Sequence, residues 1–184
     1  KTENYDLYYR NGIEKPRILL KNVHPALIYD SDKHEVIIGK YCVNGHRQIV
    51  LNLYSVNLNG KASCLVPVKG SFKPLGKKGN KIYYINVKNG LMRLMSVEAD
   101  TRKSETECDL GSSLRPLDFA LDLEKNRLFF TFQTVDFETH LAVIPLNTKN
   151  IKNDLKVLCS YSGDLRGLKF FDNKLWGAFD QEDS

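Results

Sequence analysis

RPLDFALDLEKNRLFFT, residues 115–131, opens with a basic residue before a proline, passes through the polar turn Lys125-Asn126 and ends in Leu128-Phe129-Phe130. Short aliphatic and aromatic runs separated by turn residues read as β-strands. The same reading extends along the chain. Strand runs are expected at 5–9, 18–20, 35–41, 49–56, 82–87, 91–97, 128–132 and 141–146. Turns are expected at Asn11-Gly12, Asn44-Gly45, Asn59-Gly60, Gly79-Asn80 and Asn89-Gly90. No segment keeps a helical period for three turns, so the expected class is all-β.

The strands repeat. An apolar residue, a basic residue, Pro or Gly, and a small or aliphatic residue recur as Val23-His24-Pro25-Ala26, Phe72-Lys73-Pro74-Leu75, Leu114-Arg115-Pro116-Leu117 and Leu165-Arg166-Gly167-Leu168. The basic residues stand 49, 42 and 51 residues apart, near the ~40–50 residue period of propeller blades. A polar turn and an apolar strand follow each: Lys33-His34-Glu35-Val36-Ile37, Asn80-Lys81-Ile82-Tyr83-Tyr84, Asn126-Arg127-Leu128-Phe129-Phe130 and Asn173-Lys174-Leu175-Trp176. Four strands per repeat make one antiparallel blade. The expectation is a single partial β-propeller domain over 1–184. Its complete blades lie at 24–70, 72–111 and 115–162, with half-blades at 1–22 and 165–184. An unclosed propeller leaves strand edges that invite pairing, so a second chain or segment that completes the ring is an expected partner.

The 115–131 stretch resembles the YWTD repeat of low-density-lipoprotein-receptor-related propellers. Asn80-Lys81-Ile82-Tyr83-Tyr84-Ile85-Asn86 and Asn173-Lys174-Leu175-Trp176 are similar to the same strand. The resemblance is degenerate: Lys40, Asn86, Phe132 and Phe179 stand where the family motif ends in Asp. It implies a secreted or extracellular, receptor-like domain that binds proteins on one face.

The innermost strand of a blade lines the central channel, and its first residue sits at one mouth. His24, Lys73, Arg115 and Arg166 are therefore the expected ligand-binding residues, an arc of positive charge for a protein or anionic ligand. Arginine grips a carboxylate with two parallel hydrogen bonds, whereas lysine acts as a point charge. Asp118, Asp122 and Asp164 are nearby acids that could neutralise the arc. Basic residues at these positions repel a divalent cation, which argues against a lactonase-type calcium site. No nucleophile and base are brought together by spacing, so no enzyme, cofactor or metal is expected. A hydrolase or a structural part of a split propeller is the alternative.

The net charge of +5 is too mild to indicate nucleic acid. Lys69, Lys73, Lys77, Lys78 and Lys81 read as a solvated loop. No apolar run approaches the ~18 residues of a membrane span. Cys42, Cys64, Cys108 and Cys159 fit no zinc spacing. Three of them fall on the fourth strand of different blades, too far apart to bridge. Adjacent aromatics such as Tyr83-Tyr84 and Phe129-Phe130 point to opposite blade faces, where they fill the core.

Overall fold

A computed structural model describes residues 5–68, 70–111 and 116–180. Its strands are β1 (Tyr5–Tyr9), β2 (Arg17–Asp30), β3 (Glu35–Val43), β4 (Ile49–Asn57), β5 (Ala62–Val68), β6 (Ser71–Lys78), β7 (Lys81–Lys88), β8 (Leu91–Glu98) and β9 (Ser104–Gly111). They continue as β10 (Pro116–Asp122), β11 (Arg127–Gln133), β12 (Glu138–Pro145), β13 (Lys156–Ser162), β14 (Asp164–Phe171) and β15 (Lys174–Asp180). One helical turn, α1 (Ile151–Asp154), precedes β13, capped by the Asn150 side chain, which accepts from the Lys152 N–H. The strands form sheets in the orders β1-β2-β3-β4-β5, β6-β7-β8-β9, β10-β11-β12-β13 and β14-β15.

The boundary expected between a half-blade at 1–22 and a blade from 24 falls inside one continuous strand. β2 pairs with β1 through its first half and with β3 through its second, and Val23 faces both Tyr5 and Lys40. Asn22 has a positive φ of 58°, and the β2–β3 register shifts between Val23 and Leu27. These irregularities let one strand serve two neighbours, so the first sheet has five strands.

That shift recurs. Register breaks fall between Pro74 and Gly76 in β6, Pro116 and Asp118 in β10, and Arg166 and Lys169 in β14. Each is the basic-Pro or basic-Gly motif. Proline has no N–H to give a ladder, and a bulge needs none there. In the fourth case Gly167 supplies a φ of +67° instead. The repeated motif therefore encodes a bend in the first strand of every blade.

The chain divides into two compact units. The first holds residues 1–89 and 95–105, the second 90–94 and 106–184. In the first, Ile37, Leu53 and Leu65 of one sheet meet Phe72, Ile82 and Tyr84 of the next. The opposite face packs Val36, Ile38 and Val56 against Leu19, Leu20 and Val23. Gly39 makes the first contact close: a Cβ there would stand 2.5 Å from Phe72 Cζ and 3.1 Å from His24 Cβ. In the second unit, Phe129 and Leu141 pack on Leu165 and Leu168, and Phe129 stacks on Phe170 at 5.6 Å.

Asp30 and Asp122 end the first strands of their blades and hold the following turns. Asp30 accepts the N–H groups of Asp32 and Lys33, and Asp122 that of Lys125. Each also meets a cation. Lys77 reaches Asp30, and Arg127 grips Asp122 through Nη2 at 2.6 Å and Nε at 3.1 Å. Burial pushes both carboxyls up, but the cations and the N–H groups outweigh it, and both end below the ordinary value of 3.8. The Lys-rich stretch expected as a solvated loop is instead β6, a two-residue turn and the start of β7. Its Lys77 is half-buried and paired with the buried Asp30, and its Lys81 lies 3.9 Å from Glu105. Lys69 lies outside the described residues.

Cys64, Cys108 and Cys159 occupy the outer strands β5, β9 and β13, and all four cysteines are free thiols. Burial, then the neighbouring Asp109 and Asp154 carboxylates, push the Cys108 thiol up to about 11.

Replacing Lys77 with Met strands a buried carboxylate and should cost about 3 kcal/mol in urea unfolding at neutral pH. Because the native Asp30 carboxyl is held low, its contribution is present above its unfolded value and fades as pH drops through the lowered one. The gap between variant and parent should therefore close below about pH 4; a gap independent of pH would assign the loss to packing. A thiol reagent at pH 8 should reach Cys108 last, at the rate of unfolding. Equal reaction rates for all four thiols would contradict its burial.

Candidate functional site

His24 lies in the bulge of β2. Pro25 lacks an N–H, and the Ala26 N–H, freed from the ladder by the register shift, donates to His24 Nδ1 at 3.1 Å. Nδ1 is thus an acceptor, and the neutral ring carries its proton on Nε2. Burial, then the Lys73 charge, lower the His24 pKa below 6.5. His24 is therefore neutral at pH 7, not a member of a positive arc. It contributes a single N–H donor. Its ring stacks on Phe72 at 6.1 Å and tilts against Tyr41 at 6.5 Å, and Phe72 stands edge-on to Tyr84 at 6.1 Å. These contacts fix its orientation.

Lys73 follows Phe72 on β6 and is half-buried. Arg115 lies outside the described residues. Arg166 is on β14, in register with Ala178 of β15. The structure thus brings His24 and Lys73 together. Of the acids considered as neutralising partners, Asp122 is occupied by Arg127. Asp118 is buried, and its carboxylate accepts the Leu168 N–H at 2.7 Å and the Phe119 N–H at 2.8 Å, which ties β10 to β14.

A groove of about 650 Å³ opens beside His24. Tyr41, Ile49, Val50, Leu51 and Val68 form its apolar wall, and Gln48, Asn44 and Ser71 add polar groups. The β3–β4 hairpin closes one side. Asn44 holds that hairpin by accepting the N–H groups of His46 and Gln48 at 2.9 Å. Val43 and Ile49 are exposed at its base. The groove therefore offers a neutral N–H donor, a neighbouring ammonium and an apolar wall.

A second cavity of about 350 Å³ has the opposite character. Lys33, Lys61, Lys77 and Arg102 face it together with Asp30, Glu35 and Asp100. Lys77–Asp30, Lys33–Asp100 at 3.9 Å and Ser55–Glu35 at 2.6 Å are internal partners. Most of its charge is spent on the scaffold.

One arrangement escaped the sequence reading. His140 of β12 and Ser160 of β13 are cross-strand partners, with Nδ1 2.6 Å from Oγ. His140 Nε2 lies 3.5 Å from Glu138 Oε2, and the ring stacks on Phe132 at 5.2 Å. This orders a serine hydroxyl, an imidazole and a carboxylate in line. Ser160 stands exposed on an outer strand. Residues twenty apart meet only through strand register, and their spacing carries no signal of it. Among the described residues no three His, Cys, Asp or Glu side chains converge as metal ligands, and no helix is long and apolar enough to cross a membrane.

No protein-family model matches the chain, and no curated protein does. Among solved structures, an oligogalacturonate lyase from Vibrio parahaemolyticus is similar with a TM-score of 0.61 at 15% identity, over 87% of this chain and 47% of that one. TolB from Acinetobacter baumannii is similar with a TM-score of 0.45 at 11% identity, over 88% of this chain and 53% of that one. The chain spans about half the length of these solved structures. With its four-stranded antiparallel sheets, the likeness to the lyase identifies the fold as that of a β-propeller.

Proposed function

We propose that the chain is a binding module without catalytic chemistry, which takes a protein segment or other ligand bearing an anion beside an apolar group. The observation that carries this reading is the groove at His24. His24 with Gln48 and Ser71 supplies the polar lining, the Lys73 charge lies close enough to His24 to lower its pKa, and Tyr41, Ile49 and Val68 supply the apolar lining. Sites of this kind bind through a few fixed polar groups set in an apolar wall. The exposed Val43 and Ile49 extend the surface. On the repeat alignment Arg115 and Arg166 take the place of His24 and Lys73 in their own blades. The YWTD-like repeats favour a protein as the ligand.

The test uses an acidic peptide of alternating Glu and Leu, titrated by fluorescence anisotropy. Lys73→Ala should weaken binding about fivefold at 50 mM salt and flatten the salt dependence. His24→Phe keeps the ring and removes the donor, and it should weaken binding at low and high salt alike. Unchanged affinity in both variants would remove the groove from consideration.

The Ser160–His140–Glu138 alignment favours a second reading, a hydrolytic one. Imidazole hydrogen-bonded to a serine hydroxyl can take its proton. A non-catalytic module should leave Ser160 unlabelled by a fluorophosphonate. Labelling that disappears in His140→Ala would favour hydrolysis.

A further inference from the structure

We propose that the charged cavity between the first two sheets is a second binding site, for a small phosphate monoester that also carries an ammonium group. It stands apart from the His24 groove, and the inference does not depend on the binding reading of that groove.

The cavity follows from how two complete sheets meet. β3, β4 and β5 turn one face to the second sheet, and that face is apolar through Ile37, Leu53 and Leu65. Towards the β2–β3 and β4–β5 turns it becomes polar, at Glu35, Ser55, Asn57 and Ser63. Apolar packing therefore stops short of the turns and leaves about 350 Å³ beside Ile37, Leu65 and Ile82. Every residue facing this space belongs to the first unit. Glu35↔Asn57 and Val43↔Ile49 are the two ends of the β3–β4 ladder; the cavity lies at the first and the His24 groove at the second.

The charges of the cavity do not cancel. Asp30 accepts from Lys77 and from the Asp32 and Lys33 N–H groups. Asp100 accepts from Asn80 Nδ2 at 2.5 Å with one oxygen and faces Lys33 Nζ at 3.9 Å with the other. Glu35 is half-buried and accepts the Ser55 hydroxyl through Oε2 at 2.6 Å, which leaves Oε1 open. Among the described residues the side chains of Lys61 and Arg102 have no hydrogen-bond or ion-pair partner. Two cations and one half-satisfied carboxylate thus face the same space.

The turns place them. Lys61 ends the β4–β5 turn, where its carbonyl accepts the Asn57 N–H at 3.1 Å. Glu35, Asn57 and Lys61 therefore sit side by side across the sheet. Glu35 and Lys61 are two strand spacings apart, roughly 10 Å at the backbone. Arg102 comes from the β8–β9 turn of the second sheet and has a positive φ of 59°. Its N–H returns to the Glu98 carbonyl at 2.8 Å, as the Gly60 N–H returns to that of Asn57 at 2.9 Å. Glycine takes such a φ without steric cost, and arginine does not. The Arg102 charge reaches the first sheet, where it opposes the rise that burial imposes on the Cys64 thiol.

This set of groups selects a ligand. A guanidinium and an ammonium together match the dianion of a phosphate monoester. Glu35 repels a bare phosphate and attracts a ligand whose other end is cationic. The short backbone separation calls for a compact molecule with its two charged ends a few bonds apart.

O-phosphoethanolamine and inorganic phosphate are titrated into the whole chain by calorimetry at about pH 7.5, where a phosphate monoester is mostly dianionic. O-phosphoethanolamine should bind about tenfold tighter than inorganic phosphate. Arg102→Gly should weaken it about tenfold. Because glycine already occupies the corresponding place at Gly60, the urea midpoint of this variant should not fall, which separates lost binding from lost structure. Glu35→Gln keeps an acceptor for Ser55 and should erase the preference over inorganic phosphate. Lys73→Ala, in the other groove, should change neither affinity. Four outcomes would overturn the proposal: no binding of O-phosphoethanolamine at millimolar concentration, an affinity indifferent to Arg102→Gly, a preference that survives Glu35→Gln, or a loss with Lys73→Ala, which would assign the phosphate to the groove.

Discussion

The middle strands of these blades are apolar on successive residues. Ile37 and Ile38, Tyr83 and Tyr84, Phe129 and Phe130 point to opposite sides of their sheets, and all six are buried. A sheet with two apolar faces cannot leave either in water, so each blade must be covered on both sides. Much of the remaining structure follows from that constraint. Gly39 leaves room for the Phe72 ring of the adjoining sheet. At the equivalent place in the second unit, Thr131 is buried and donates its hydroxyl to the Leu165 carbonyl at 3.3 Å. One position therefore serves one task, meeting the start of the next first strand, by absence of a side chain in one case and by a hydrogen bond in the other.

The bulges belong to the same logic. β2 leaves β1 and joins β3, and a straight ladder would hold it to one of them; β6, β10 and β14 carry the same break at the edge of their sheets. Pro25, Pro74, Pro116 and Gly167 break the register where the strand turns. The buried acids then fix the far end of the strand. Asp30 takes Lys77 from the adjoining sheet and Asp122 takes Arg127 from its own. A charge buried with a partner and N–H groups is tolerable, and alone it is not. The same chemistry thus either links two sheets or rigidifies one hairpin, according to which strand carries the cation.

Much of this was legible in the residues. Paired aromatics marked the two-faced strands, Asn-Gly turns marked the hairpins, and the basic-Pro or basic-Gly motif located all four first strands. The motif's meaning was not legible, because a bulge is a property of pairing and no single strand displays it. Register hid the Ser160–His140 contact in the same way, since residues twenty apart become neighbours only when β12 and β13 align. The boundary set between 22 and 24 by the basic-Pro motif falls inside β2, because Asn22 at positive φ and the break after Val23 let one strand pair with β1 and then β3. Lys77 looked solvated because its partner, Asp30, lies 47 residues away.

His24 ties these threads together. Its basic type and its place in the repeat suggested positive charge at a channel mouth. The bulge decides otherwise. Because Pro25 has no N–H and the ladder skips this segment, the Ala26 N–H is left to donate to Nδ1. Protonating Nδ1 would put two donors face to face, beside Lys73 and in a half-buried setting. The ring therefore stays neutral for the same reason that the strand bends. What recurs in β2, β6, β10 and β14 is a backbone device, the register break at the Pro or Gly, and in β2 the imidazole takes up the N–H which that break frees.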